Sequence, residues 1–122
     1  VLVARIRAML RRARGAAGET VTFGQYRLDV NGYSLMKGDK PVVLSSKEFE
    51  VLRHLATRPG RAIRPDDIYS DVWQNEFGDV SAVAVYVRRI RQKIEDDPTQ
   101  PYYIQTIHGS GYRLNPDALG ST

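Results

Sequence analysis

The most regular pattern in the chain is Val83, Val87, Ile90 and Ile94, spaced i, i+4, i+7 and i+11. That spacing keeps returning to one side of a 3.6-residue helix, so it predicts a helix over about 80–95 with one buried stripe. Phe49, Leu52, Leu55 and Ala56 mark the buried face of an earlier helix. It opens on Ser45-Ser46-Lys47-Glu48, a capping box with Ser45 as N-cap and Glu48 at the third helical position, and it stops at Pro59-Gly60. A second helix starts near Pro65, with Asp66 and Asp67 at its positive end and Ile68, Val72 and Trp73 as its apolar stripe. Over residues 21–44 the pattern changes. Phe23, Tyr26, Leu28, Val30, Tyr33 and Leu35 lie between turn formers, which predicts short antiparallel strands. Asn31-Gly32 predicts a tight hairpin there, and Lys37-Gly38-Asp39 a further turn. So few short strands must pack on something helical. At the other end, residues 102–107 read as a strand, with Tyr102 and Tyr103 packing. His108-Gly109-Ser110-Gly111 reads as a tight turn and Tyr112-Arg113-Leu114 as a returning strand. Residues 1–14 read as a further helix on Leu2, Ile6 and Met9, running into the flexible joint Gly15-Ala16-Ala17-Gly18.

Composition changes this picture little. With 122 residues, 42% hydrophobic and 26% charged, the chain is ordinary globular material, which excludes low-complexity and collagen-like classes. The absence of cysteine excludes a disulfide framework and a thiolate zinc site. No apolar run approaches the roughly 20 residues of a transmembrane helix, and no secretory signal is visible, so a cytoplasmic protein without membrane association is expected. Val1 stands where an initiator Met would, so the expectation is a piece of a longer protein.

Charge changes it more. Residues 1–18 hold five arginines and no acid, which leaves 13 basic and 14 acidic side chains in the remaining 104 residues. The main body is therefore nearly neutral, but it is polarised. Asp66, Asp67, Asp71, Glu76 and Asp79 crowd residues 65–79 without a base, where a solvated acidic face is expected. Arg88, Arg89, Arg91 and Lys93 crowd residues 80–94 without an acid. On the third helix, Ser81, Val85, Arg88, Arg89 and Gln92 fall opposite the apolar stripe. A cationic helix face of this width fits the DNA major groove and can donate to base edges and phosphates. Three helices, a short connection before the third and a terminal Gly-rich hairpin give an α+β, winged helix-turn-helix order, in which the third helix enters the groove.

At this point the residues resemble a known family. Leu44-Ser45-Ser46-Lys47-Glu48-Phe49-Glu50-Val51-Leu52 is similar to its first-helix signature, and Pro59-Gly60-Arg61-Ala62-Ile63 and Val72-Trp73 follow at the expected intervals. Residues 83–95 resemble its recognition helix, and residues 104–114 its wing. The family is the effector domain of OmpR/PhoB-type response regulators, and the resemblance covers about residues 20–115. It implies a four-stranded N-terminal sheet, three helices and a C-terminal β-hairpin wing. It implies a sequence-specific transcriptional regulator that binds double-stranded DNA as a dimer on tandem half-sites. A sensor kinase would phosphorylate the receiver domain upstream. Residues 1–18 would then be the last receiver helix and a linker, 19–116 the winged-helix domain and 117–122 a flexible tail. Carried over by position, Arg89 contacts bases, Arg88 and Arg91 contact phosphates, and Val85 faces the groove. Thr106 and Tyr112 contribute from the wing region, Trp73 approaches the backbone, and the loop 74–79 faces RNA polymerase. The chain departs from the pattern at Ser81, Ala84, Tyr86 and His108, where the family commonly has Arg, Asp, His and Arg. Ser81, Tyr86 and His108 remain candidate DNA-binding residues at those positions.

His54 reads as a structural residue beside the Leu52/Leu55 face. No catalytic constellation, metal spacing or cofactor motif is visible, so neither an enzyme nor a cofactor is expected. The alternative from another class is a winged-helix protein–protein interaction module without specific DNA binding, its basic helix serving as a solvated or partner surface.

Overall fold

A computed structural model describes residues 19–74 and 78–119; the expected helix at 1–14 and joint at 15–18 lie outside them. The chain opens with β1 (Thr20–Phe23), β2 (Tyr26–Asp29), β3 (Ser34–Lys37) and β4 (Lys40–Pro41), paired in that order as one antiparallel sheet. Helices α1 (Ser46–Ala56), α2 (Pro65–Trp73) and α3 (Ser81–Ile94) follow. Strands β5 (Ile104–Ile107) and β6 (Gly111–Leu114) close the fold as a separate hairpin. This is the four-strand, three-helix, terminal-hairpin order expected from the sequence.

The capping box at Ser45 forms as expected. Ser45 Oγ accepts from Glu48 N at 3.2 Å, and Glu48 Oε1 accepts from Ser45 N at 3.0 Å. One core joins sheet and helices. Phe23, Leu28 and Leu35 of the sheet lie in the same buried cluster as Leu52, Leu55, Ile68, Val83, Val87, Ile90 and Ile94.

The Asn31-Gly32 hairpin is corrected. Strands β2 and β3 pair from Asp29↔Ser34, so residues 30–33 form a four-residue loop. The positive φ falls on Tyr33, at 54°, and Asp29 Oδ1 accepts from Gly32 N at 2.9 Å. A two-residue Asn-Gly turn would pair Tyr33 with Val30. Instead Tyr33 swings over α1, stacks on Phe49 at 4.8 Å and carries the Arg53 guanidinium on its ring. Tertiary stacking overrides the local turn signal.

The expected tail is corrected as well, for residues 117–119. Pro116–Ala118 form a 3-10 turn capped by Asn115, whose Oδ1 accepts from Asp117 N at 2.9 Å. Ala118 is buried, its carbonyl accepts from Gly24 N at 2.7 Å, and Leu119 bridges Phe23. Ordered chain thus passes the expected boundary at 116 and closes over β1. Tyr103 packs as expected, edge-on to Phe23 and Tyr26. Tyr102 is exposed, and the strand begins only at Ile104.

Tyr26 joins the sheet to the end of α3. It is 2% exposed, and its hydroxyl donates to the Ile94 carbonyl at 2.8 Å. Burial, with the nearby Tyr103, Asp96 and Glu95 groups adding to it, pushes its pKa from 10.0 up to about 12. A raised folded-state value means that stability is intact below pH 10 and is lost as pH rises through 12. Tyr26→Phe is expected to cost about 1–2 kcal/mol at neutral pH through the orphaned carbonyl. The variant should also lose less stability than the parent between pH 10 and 12. Urea melts across that range check both parts.

Candidate nucleic-acid interface

Helix α3 buries Val83, Val87, Ile90 and Ile94, the stripe that the spacing predicts. The opposite face is open. Ser81, Ala84, Arg88, Arg89 and Gln92 are exposed, and Val85 is 47% exposed. The helix opens on Asp79, whose Oδ1 accepts from Ser81 N at 2.6 Å. Hydrogen bonds from Ser81 hold the Asp79 carboxyl below its ordinary range. An anion at the start of a helix also complements the helix dipole.

The far end is anchored by charge. Lys93 Nζ donates to Glu48 Oε1 at 2.7 Å and to the Val43 carbonyl at 3.0 Å, tying α3 to α1. Burial pushes the Glu48 carboxyl up, but hydrogen bonds from Lys93 and the Ser45 N–H, with the Lys93 and Arg89 charges, bring it below its ordinary value.

Glu95, at the C-cap, is 8% exposed. Its carboxylate accepts from Tyr102 N at 2.7 Å, Tyr103 N at 3.0 Å and Ile104 N at 2.9 Å. It therefore gathers the returning chain at the point where β5 begins. Arg91 makes a second connection. Its Nε and Nη2 donate to the Ile104 carbonyl at 3.1 and 2.8 Å, and Nη2 also donates to Thr106 Oγ1 at 2.9 Å. The guanidinium lies 5.7 Å from the centre of the Tyr112 ring. Burial lowers the Arg91 pKa, but an arginine stays cationic at neutral pH.

The wing is seated from its other strand. Ile63 N donates to the Tyr112 carbonyl at 2.7 Å, and Tyr112 N donates back to the Ile63 carbonyl at 3.0 Å. Gly111 makes this approach possible. Its φ is 125°, and a Cβ there would collide with the Ile63 carbonyl. At the tip, Ser110 N donates to the Ile107 carbonyl at 2.8 Å, and Gly109 takes φ 81°. His108 is exposed on that tip.

The profile of the family described as transcriptional regulatory protein, C terminal, matches residues 39–114. The chain belongs to this family. It is 37% identical over 120 residues to the uncharacterized transcriptional regulatory protein YcbL of Bacillus subtilis, covering 93% of this chain and 53% of that protein. It is also 37% identical over 117 residues to the transcriptional regulatory protein AfsQ1 of Streptomyces coelicolor, covering 95% of this chain and 52% of that one. The chain spans about half the length of these curated relatives. Among solved structures, the Klebsiella pneumoniae RstA DNA-binding domain in complex with RstA box superposes with a TM-score of 0.71 at 31% identity, covering 80% of this chain and 98% of that one. The Thermotoga maritima response regulator DrrB, an OmpR/PhoB homolog, gives 0.73 at 32% identity, covering 93% and 51%. The OmpR/PhoB resemblance and the winged-helix fold are thus borne out.

In this effector domain the expected site residues fall into separate groups. Ser81, Val85, Arg88 and Arg89 share the outer face of α3. Arg91, Thr106 and Tyr112 meet at the seam between α3 and the wing. His108 stands apart at the wing tip. Tyr86 is half-buried, wedged between Trp73 and Arg89. Trp73 is 5% exposed, stacked on Tyr69 at 5.3 Å and met edge-on by Tyr86 at 5.3 Å. Neighbouring rings cover it, so it packs as part of the α2 apolar stripe. The loop 74–79, expected to face RNA polymerase, lies outside the described residues at positions 75–77. His54 is structural as expected, its Nε2 lying 2.6 Å from Asp71 Oδ2 and joining α1 to α2.

The sequence pattern does not reveal Glu95. An acid just after a helix reads as solvated, and its buried role depends on the chain returning at residues 102–104. Among the described residues, no helix is long and apolar enough to cross a membrane.

Proposed function

We propose that the chain is the effector domain of a two-component response regulator and that it binds duplex DNA sequence-specifically through the outer face of α3. The observation that carries this reading is the pairing of an open, cationic helix face with an anchored helix. Arg88 and Arg89 stand exposed beside Ser81 and Val85, while Lys93 and Glu95 fix the helix end and Arg91 fixes the wing beside it. Rigid presentation of a few donors is what groove reading requires. The related RstA domain, whose structure holds an RstA box, supports the reading.

In this account Arg89 reads a base edge, Arg88 neutralises a phosphate, Val85 packs in the groove and His108 reaches an adjacent minor groove. Arg91 acts mainly by holding Thr106 and Tyr112 in place. One such helix reads only a few base pairs, so two copies on tandem half-sites are needed to single out a genomic site. The full-length protein would dimerise and receive its signal from a sensor kinase through an upstream receiver, and it would meet RNA polymerase through the loop 74–79. It would work as a binder in the cytoplasm rather than as a catalyst.

Selection from a random pool of 30-bp duplexes supplies the test. Arg89→Ala is expected to relax preference at one base pair by about 1–3 kcal/mol. Arg88→Ala should weaken all sequences alike and reduce the salt slope by about one unit. Uniform weakening by Arg89→Ala would make Arg89 a phosphate contact. Selection that enriches no motif would favour the protein-binding alternative.

A further inference from the structure

At the border between the buried stripe and the outer face of α3 stands Tyr86, half-buried against the core. Tyr86 lies one helical turn before Arg89, the i, i+3 spacing that brings two side chains together. The Arg89 guanidinium carbon sits 5.0 Å from the centre of the Tyr86 ring. That ring is itself held from behind. Trp73 meets it at 5.3 Å with an interplanar angle of 71°, and Trp73 is stacked on Tyr69 at 5.3 Å and 10°. Lys47 lies over the Trp73 ring, 5.6 Å from its centre. The aromatic row therefore runs from the buried side of α2 to the surface of α3 and ends under an arginine.

The chemistry of the last contact is directional. A guanidinium over the face of a tyrosine is drawn to the ring quadrupole and keeps its N–H edge free to donate. An exposed arginine without such a support samples many rotamers, and ordering it on binding opposes affinity. A half-buried ring wedged against Trp73 has little freedom of its own. The shelf is rigid, and the side chain it carries is the one the proposed function assigns to base reading.

We propose that Tyr86 is a positioning residue for sequence discrimination: it shelves the Arg89 guanidinium in the pose that reads a base, without itself contacting DNA. This rests on the reading of α3 as the groove-facing helix. A phenylalanine at position 86 keeps the ring and the shelf. A leucine keeps apolar packing against Trp73 and removes the shelf.

The test uses the whole chain and four duplexes that carry each base pair in turn at the position relaxed by Arg89→Ala. The readout is the ratio of affinities for the preferred and next-best base pair. Thermal midpoints of the variants show that each is folded. Tyr86→Leu is expected to reduce that ratio by about two- to fivefold, the scale of one exposed cation–π contact. Tyr86→Phe should restore the parent ratio. Combined with Arg89→Ala, Tyr86→Leu should have no further effect on it. A Tyr86→Leu variant that weakens all four duplexes equally, with the ratio intact, would overturn the shelf and leave Tyr86 a packing residue. Loss of discrimination in Tyr86→Phe equal to that in Tyr86→Leu would overturn it in favour of direct contact through the hydroxyl. If Arg89→Ala itself leaves the ratio unchanged, base reading by Arg89 fails first and the shelf falls with it.

Discussion

Glu95→Ala is expected to destabilise the domain by about 3 kcal/mol, because a buried N–H without an acceptor costs about 1–3 kcal/mol. The N–H groups of Tyr102, Tyr103 and Ile104 all donate to this one carboxylate. Removing it orphans the buried Ile104 N–H and the half-buried Tyr103 N–H where the chain turns back from α3 into β5, whereas the N–H of exposed Tyr102 can turn to water. For a domain of this size the loss corresponds to a fall in melting temperature of about 10–20 °C. Glu95→Gln retains one acceptor oxygen but turns an amide N–H toward donors, so an intermediate loss of about 1–3 kcal/mol is expected. The damage should be local before it is global. Amide exchange should accelerate first across Ile104–Ile107 and only later in α1. A calorimetric scan and native-state hydrogen exchange on the two variants check the magnitude and the order.

Gly111→Ala is expected to be comparably severe, at about 3–5 kcal/mol. The φ of 125° is a region that side chains rarely adopt, and the new Cβ would meet the Ile63 carbonyl of the neighbouring segment. That carbonyl accepts from Tyr112 N, so relieving the clash also breaks the bridge that seats the wing. Gly109 is the control. It lies two residues away on the same turn with φ 81°, but a Cβ added there would meet nothing within 4 Å. Gly109→Ala should therefore cost only the backbone strain, about 1–2 kcal/mol. Denaturation midpoints for the pair measure the difference, and equal losses would show that strain alone matters at both sites.

These two residues also mark where sequence reasoning reaches its limit. The stripe Val83, Val87, Ile90 and Ile94 is legible because helical periodicity is a local property, and so is the capping box at Ser45. The outer face of α3 follows by subtraction. Gly111 is legible as turn chemistry, but its close approach to Ile63 is not, since that depends on a segment almost fifty residues earlier. Arg91 reads as a phosphate contact through the resemblance. Its bonds to Ile104 and Thr106 exist only once the hairpin has folded back. Trp73 reads as part of the α2 apolar stripe and its stack on Tyr69 follows the i, i+4 spacing, but its edge contact with Tyr86 of α3 is not legible. Asn31-Gly32 fails for a related reason: a strong local turn signal yields to the stacking of Tyr33 on Phe49. In each case the missing information is a contact between elements.

The outer face of α3, with the wing beside it, is the surface proposed to read duplex DNA. Backbone amide chemical shifts of the labelled chain, followed as the selected 30-bp duplex is added, test it most directly. The largest changes are expected along Ser81–Gln92 and at Thr106–Tyr112, fading as salt is raised. Changes confined to the His54–Asp71 side of α1 and α2, with α3 unmoved, would contradict it.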